Sequence, residues 1–323
     1  MPNPKETSVH LHIRPFASGD YAAMLAVHLA IFPDYKFTED EMRYWDEHRD
    51  PTHKYARWVA EYDERSVGIG EYGQTFEEYH PRKFWINIVV HPDVQRRCIG
   101  SALYDQVMQG LQQHDPIAVR SQVREDMAAS IRFLEARGFH NVWRSWESRL
   151  DLTTFDPAPY QGLEEKLRDQ GIEIKTLAEL ASDPECYRKL YELDNEVARD
   201  IPTLDESTAA NYEFYVETFI DNPQLKHDAH FIALHNREYI GTTSLWESEG
   251  DADLTNSLTG VKRSYRHRGI ALALKLRSIA YARAQGCGHI KTWNDSPNTA
   301  MIAINERLGF VRKVGWITFL KEF

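Results

Sequence analysis

The sequence predicts two domains of one α/β (α+β layered) class in tandem, and three observations carry that prediction. The chain has 323 residues, which suits two domains of roughly 100–200 residues each. A segment with its own internal spacing occurs twice. Val90–His91–Pro92–Asp93–Val94–Gln95–Arg96–Arg97–Cys98–Ile99–Gly100 is followed 39 residues later by Arg137–Gly138–Phe139. Val261–Lys262–Arg263–Ser264–Tyr265–Arg266–His267–Arg268–Gly269–Ile270–Ala271 is followed at the same remove by Leu308–Gly309–Phe310. Gly100 thus maps to Ala271 and Phe139 to Phe310 with one displacement, 171 residues, and Ala60 and Gly68 map to Ala233 and Gly241 at 173. A repeat of that length is a domain duplication, since solenoid periods are about 20–50 residues. Third, strand and helix patterns recur in the same order in both halves, the mark of a layered sheet-and-helix fold.

In the first half, Val9–Leu11–Ile13 alternates apolar and polar residues as a strand does. Ser18–Gly19–Asp20 starts a helix through Met24, Leu25, Val27, Leu29 and Ile31 that Pro33 stops, and a second helix follows over 39–48. Residues 58–62 and 66–73 read as two strands joined by a turn at 63–65. An aromatic and β-branched strand over 84–90, a helix over 100–112, a strand near 117–122, a helix over 128–137 and a strand near 143–150 complete the half. Asp156–Pro157–Ala158–Pro159 is the linker, because two prolines in four residues resist both helix and central strand. The domains are therefore placed at 1–155 and 156–323, with residues 160–170 as a short bridging helix. The order then repeats: strand 172–176, helices 185–199 and 208–221, a hairpin of 230–235 with 239–246, the long strand 253–261, helix 270–285, strand 289–293, helix 299–307 and strand 316–320.

Composition narrows the function. With 42% hydrophobic residues the chain can fill two cores. It has no run of 18 apolar residues, so no membrane span is expected. Its start lacks a basic region followed by an apolar stretch, so no signal peptide is expected. Three widely spaced cysteines, Cys98, Cys186 and Cys287, form neither a disulfide framework nor a metal spacing, which favours a reducing, cytoplasmic setting. The fourteen histidines show no H-E-x-x-H pattern, and no metal is expected. A formal net charge of −11 argues against nucleic acid as a partner, which calls for a basic face. Within that acidic background, the clusters at Arg96–Arg97 and at Lys262–Arg263 with Arg266–His267–Arg268 suit one compact anion. An acidic surround also draws in a cationic amine.

Residues 261–271 run from a strand end through a basic loop into a helix. Gly269 and the small Ala271 let backbone N–H groups approach an anion, and the helix start adds a positive dipole end. The segment is not a P-loop, for G-x-x-x-x-G-K-[ST] is missing, and not a dinucleotide fingerprint, for G-x-G-x-x-G is missing.

Arg266–x–x–Gly269–x–Ala271 behind a valine-ended strand, with Asn298 and a helix ending Leu308–Gly309–Phe310 downstream, resembles the GCN5-related N-acetyltransferase (GNAT) family. The match is twofold, so the chain resembles a tandem member. The resemblance implies a duplicated fold in which each half has a central mixed, mostly antiparallel sheet, its fourth and fifth strands splayed, flanked by helices. It implies that acetyl-coenzyme A is the cofactor, with Val261 and Arg263 on the pantetheine and pyrophosphate. Arg266, Gly269, Ile270 and Ala271 would form the anion loop, and Asn298 a further cofactor contact. Asn298 fits an N-cap equally well, and Gly138 and Gly309 fit helix C-caps.

The halves depart from the family pattern unequally. Cys98 stands where the first glycine belongs, and a side chain there crowds the backbone approach or demands φ < 0. Met127 stands where the second half has Asn298. Both departures make the second half the catalytic one. The position of the family's proton-donating tyrosine is Leu134 in one half and Asn305 in the other, and neither is an acid near neutral pH. The region of the family's general base holds Thr255 and Asn256, so the nearest acidic candidates are Glu247 and Asp253, which solvated strand-end carboxylates would also explain. The expected activity is acetyl transfer to a primary amine of a small molecule by direct attack in a ternary complex, with backbone N–H near Val261 polarising the thioester carbonyl. The protein would act as a monomer or homodimer. A non-catalytic acyl-coenzyme A sensor and an interaction module on a degenerate duplicate are the alternatives.

Overall fold

A computed structural model describes residues 11–323; Val9, expected in the first strand, lies outside the described residues. In chain order the elements are β1 (Leu11–Pro15), α1 (Tyr21–Ile31), α2 (Glu39–Glu47), β2 (Ala56–Tyr62), β3 (Arg65–Gly73), β4 (Lys83–Val90), α3 (Ile99–Gln112), β5 (Ala118–Arg124), α4 (Ala128–Glu135) and β6 (His140–Asp151). There follow α5 (Leu163–Arg168), β7 (Ile172–Thr176), α6 (Leu177–Leu180), α7 (Cys186–Ala198), α8 (Tyr212–Tyr215), β8 (Leu225–His235), β9 (Glu238–Ser248), β10 (Asp251–Val261), α9 (Ile270–Ala284), β11 (His289–Asp295), α10 (Thr299–Leu308) and β12 (Val311–Glu322).

These elements form two compact units. Unit 1 holds the described residues through Gln122, with Phe133–Asn141 and Thr318–Phe323; unit 2 holds Val123–Arg132 and Val142–Ile317. Relative to the halves 1–155 and 156–323, residues 123–132 and 142–155 go to unit 2 and 318–323 to unit 1. The last residues are fastened to unit 1 by Phe323 N donating to Ile117 O at 3.1 Å and Lys321 Nζ to Tyr104 OH at 3.2 Å.

In unit 1, β1, β2, β3 and β4 are antiparallel neighbours and β5 joins β4 in parallel. In unit 2, β7, β8, β9 and β10 are antiparallel neighbours, β11 joins β10 in parallel, and β6 joins β11 antiparallel. Each sheet is thus mixed and mostly antiparallel, as expected. Splaying of the fourth and fifth strands is also present. β10 and β11 pair only over Leu254–Asn256 with Ile290–Thr292, then separate although both run on. β4 and β5 do the same after Trp85 and Arg120.

The unit 2 sheet packs α9 against one face, where Leu254, Val261, Ile270, Leu274, Ile279 and Phe310 share a core. The other face packs Leu190, Leu193 and Val197 of α7 with Tyr215, Ile220 and Ile232. Alternation along β10 makes this possible, because successive Cβ atoms point to opposite faces. Gly260 lies under Val197, while its neighbour Val261 faces Ile270.

Two helices differ from expectation. The helix expected over 208–221 starts only at Tyr212, because Asn211 Oδ1 accepts the N–H of Phe214 at 2.7 Å and caps it there. It ends in a wider turn over Val216–Ile220. The short α6 was not expected, although Thr176 and Glu179 form a reciprocal capping box, with Thr176 N to Glu179 Oε2 at 2.7 Å and Glu179 N to Thr176 Oγ1 at 3.1 Å.

α9 is buried on nearly all sides, and its Lys275 is only 1% exposed. Nζ donates to Asn256 Oδ1 at 2.6 Å and lies 5.3 Å from the centre of the Phe310 ring. Burial lowers this amine to about 7. An amine whose pKa falls on folding binds fewer protons in the folded than in the unfolded chain between that value and the ordinary 10.5, so stability rises with pH across this window. The stability of the wild type minus that of Lys275→Met should therefore increase between pH 7 and 10, by up to about 1.4 kcal/mol per pH unit. Urea unfolding at pH 7, 8.5 and 10 reads the slope, and a flat difference would contradict a neutral buried amine.

Candidate functional site

The basic loop of unit 2 begins where β10 ends. After Val261, a short turn over Arg263–Tyr265 leads to His267 and Gly269, both left-handed, at φ +64° and +88°. α9 starts at Ile270, and its first main-chain bond outside the loop is Ala273 N to Gly269 O at 3.0 Å. The N–H groups of Ile270, Ala271 and Leu272 precede that bond and have no carbonyl a turn behind them, as at any helix start. Three donors and a dipole end thus converge beside Arg266. Gly269 is favoured twice over: its φ is strained for a side chain, and a Cβ would stand 3.0 Å from Leu163 Cδ1 of α5.

Val261, Arg263, Arg266, Gly269, Ile270 and Ala271 are brought together here. Arg266 Nε donates to Val261 O at 3.0 Å, which ties the guanidinium to the strand end. Asp200, just past α7, binds both arginines: Arg263 Nε donates to Oδ1 at 2.8 Å and Arg266 Nη2 pairs with Oδ2. These contacts hold the Asp200 carboxyl below its ordinary value. An incoming diphosphate would compete with this resident carboxylate for the same cations. Sequence reasoning missed Asp200, for no spacing links it to a loop 63 residues away.

Asn298 lies at the start of α10, where its Oδ1 accepts Met301 N at 3.3 Å. It is an N-cap, and its amide nitrogen is left to donate elsewhere. Asn305 is 2% exposed on α10. Its Nδ2 donates to Asn294 Oδ1 of β11 at 2.5 Å, while its Oδ1 is buried without a partner.

Glu247 and Asp253 are not brought to the loop. Glu247 pairs with Lys226 at the end of β9. Asp253 accepts the N–H of His289 at 2.8 Å, before the segment where β10 and β11 pair. Eight residues of extended strand, about 26 Å, separate it from Val261. Its carboxylate thus anchors the start of β11 on the closed side of the splay.

The opening itself is lined by polar groups. Where β10 leaves β11, an extra residue between Asn256 and Thr259 shifts the register against β9, the kind of bulge that re-aims side chains. Asn256 Nδ2 donates to Thr243 Oγ1 at 2.9 Å and to Ser244 O at 3.0 Å, and Thr243 and Thr259 share a hydroxyl hydrogen bond of 2.7 Å. With Lys275 on Asn256 Oδ1, this network pins the vertex of the splay.

The unit 1 loop keeps the same backbone with different side chains. Arg96 and Cys98 are left-handed at φ +65° and +61°, and Ala102 N donates to Cys98 O at 3.0 Å, as Ala273 does to Gly269. Cys98 therefore does not retreat to negative φ. It accepts the strain, of order 1–2 kcal/mol, with its side chain exposed. Among the described residues no cluster of His, Cys, Asp or Glu could hold a metal ion, and no helix is long and apolar enough to cross a membrane.

The acetyltransferase (GNAT) family model matches residues 21–139 and again 187–310. A mycothiol acetyltransferase of Thermobispora bispora is 25% identical over 230 residues, 70% of this chain and 72% of that protein. Among solved structures, a tandem GNAT protein from the clavulanic acid biosynthesis pathway superposes with a TM-score of 0.74 at 21% identity, covering 97% of this chain and 98% of that one. A GCN5-related N-acetyltransferase of Sphaerobacter thermophilus superposes with a TM-score of 0.72 at 19% identity over 97% and 95% of the two chains. At these identities the superpositions speak for the fold.

Proposed function

The chain belongs to the acetyltransferase (GNAT) family, and on that premise we propose that its second unit transfers the acetyl group of acetyl-CoA directly to a primary amine of a small molecule, in a ternary complex. One observation carries the reading: the anion cradle of Arg266, Gly269, Ile270 and Ala271 opens beside the end of the very strand that splays from its parallel neighbour. The cradle fits a diphosphate by its donors, its cations and its lack of a Cβ. Arg263, Val261 and the Asn298 amide would extend the grip along β10 and α10. When bound, acetyl-CoA supplies an acetyl group already activated as a thioester.

The protein's own part is to bind and align. Main-chain N–H groups on β10 beyond the bulge have no β11 partner and can polarise the thioester carbonyl. Holding amine and thioester in register supplies most of the acceleration, with no covalent enzyme intermediate. Asn305, a neutral amide, cannot give a proton to the leaving thiolate, so that proton comes from the amine or from water. The same residue favours the second reading, a sensor that binds acyl-CoA without turnover. The name of the curated relative joins acetyl transfer to a small molecule, which supports the acceptor class.

Acetyl-CoA binding by calorimetry, followed by thiol release with phenethylamine, glucosamine, spermidine and glycylglycine, tests the proposal. Saturable thiol release with any one amine is the expected result. Binding without turnover would select the sensor, and absence of binding would overturn both.

A further inference from the structure

Asp194 of α7 is a carboxylate that the fold does not use up. Its Oδ2 accepts from Tyr215 OH at 2.7 Å, while its Oδ1 is sealed from solvent and has no hydrogen bond of full geometry, the Thr242 hydroxyl being its neighbouring donor. Such an orphan is expensive, and the fold had cheaper choices at this position. Among the described residues no ion pair engages it. The titratable groups that face it are Tyr215 from α8 and, through Thr242 of β9, His230 from β8. His230 Nε2 lies 2.9 Å from Thr242 Oγ1, and burial keeps this imidazole neutral, with a pKa of about 3. Burial raises the Asp194 carboxyl to about 7, against the opposing hydrogen bonds from Tyr215 and Thr242.

Its place in the sheet follows from its neighbour one turn along α7. Val197 packs on Gly260 so closely that a Cβ there would lie 2.5 Å from Val197 Cγ2. Gly260 is paired with Thr242 and belongs to the part of β10 that has already left β11. Asp194 therefore stands over the splayed stretch of β10, on the face opposite α9 and its anion cradle. Tyr191, Tyr215, Phe219 and Leu258 share the apolar cluster of that face.

Unit 1 shows the contrast. Arg57 occupies the position that maps to His230 at the displacement of 173 residues. It binds Asp46 at 2.6 Å and Glu71 at 2.7 Å, and Tyr55 OH and Asn87 Nδ2 complete Glu71 at 2.7 and 3.0 Å. There Arg57 neutralises both carboxylates that meet it. In unit 2 a neutral histidine stands at the cation's position, and among the described residues no cation pairs with Asp194.

We propose that Asp194 is the acceptor-side catalytic residue: its Oδ1 pairs with the ammonium group of the incoming amine and takes one of its protons, while Tyr215 holds Oδ2 in place. This rests on the acetyl-transfer reading above and names the base of that same site. The amine nitrogen, freed of one proton to Asp194, forms the C–N bond to the thioester carbonyl carbon. The C–S bond breaks with its electron pair on sulfur. The second proton lost by the nitrogen goes to that thiolate, giving the amide and free coenzyme A thiol, and Asp194 passes its proton to water that enters as the products leave.

The test uses the full chain and the best acceptor among phenethylamine, glucosamine, spermidine and glycylglycine. Asp194→Asn should keep the affinity for acetyl-CoA and the melting temperature at pH 8, yet lose about 100-fold or more in kcat, the scale of a general base. The wild-type rate should climb with pH through about 7, where Asp194 ionises, and the variant should lack that limb. Tyr215→Phe should shift the limb to higher pH, because the carboxylate loses a donor, and should retain more activity than Asp194→Asn. A merely structural carboxylate would lower stability without moving the limb. Unchanged kcat and an unchanged limb in Asp194→Asn would overturn the assignment while leaving acetyl transfer standing. A wild type that acetylates none of the four amines would overturn both.

Discussion

Gly269→Glu should leave the protein folded and cost at least about 100-fold in acetyl-CoA affinity, roughly 2.7 kcal/mol. Two physical effects act together. The carboxylate would sit at the helix start where the diphosphate is to be received, placing like charge against like and satisfying the first-turn N–H groups internally. The Cβ would also meet Leu163 Cδ1 at 3.0 Å with φ held at +88°. Gly269→Ala separates the two, since it brings the crowding and the strain without the charge. Cys98 already tolerates a side chain at the matching position of unit 1, so the alanine variant should fold and lose about tenfold or less. Calorimetric titration of both variants, beside their melting curves, reads the effect. Wild-type affinity in the glutamate variant would remove the loop from the cofactor site.

A fragment ending at residue 155 should fail to fold, and this is the largest effect expected on stability. Such a fragment lacks Thr318–Phe323, which belong to unit 1, and carries a stretch from Val142 onward that belongs to unit 2. Ile117, just ahead of β5, would lose the main-chain bond from Phe323, and β5 would expose an edge, a recognised route to aggregation. Circular dichroism and urea titration of the fragment should show no cooperative transition. Removing only 318–323 from the full chain should destabilise unit 1 in preference to unit 2, as hydrogen exchange at β2–β5 against β8–β10 would show. A stable, cooperatively unfolding fragment would contradict the composition of the units.

Much of the architecture was legible in the sequence because its signals are local. The strand over 172–176 was bounded correctly at both ends, and the helices after Cys98 and Gly269 within a residue at each start, because apolar periodicity and the repeated segment mark them. The anion loop was legible for the same reason, being one contiguous segment. What was illegible depends on contacts far apart in the chain. Nothing local says that Asp200 will hold Arg263 and Arg266, that Lys275 will be buried against Asn256, or that Val197 will lie over Gly260. Glu247 and Asp253 attracted notice by their place at strand ends, but their partners, Lys226 and the His289 N–H, emerge only with the register of β8 to β11. Composition could not reveal that residues 318–323 belong with unit 1.

That last feature has a bearing on biosynthesis. Translation is vectorial, and domains ordinarily mature from the N-terminus as they emerge at about 5–20 residues per second. Here the first unit needs residues 318–323, which are made after all of unit 2, so its completion waits until they too have emerged. Until then its β5 margin is bare, and chaperone dependence in the cell should track the time between emergence of β5 and emergence of residues 318–323. A circular permutant that moves 318–323 ahead of residue 11 would shorten that vulnerable interval without altering the mature fold.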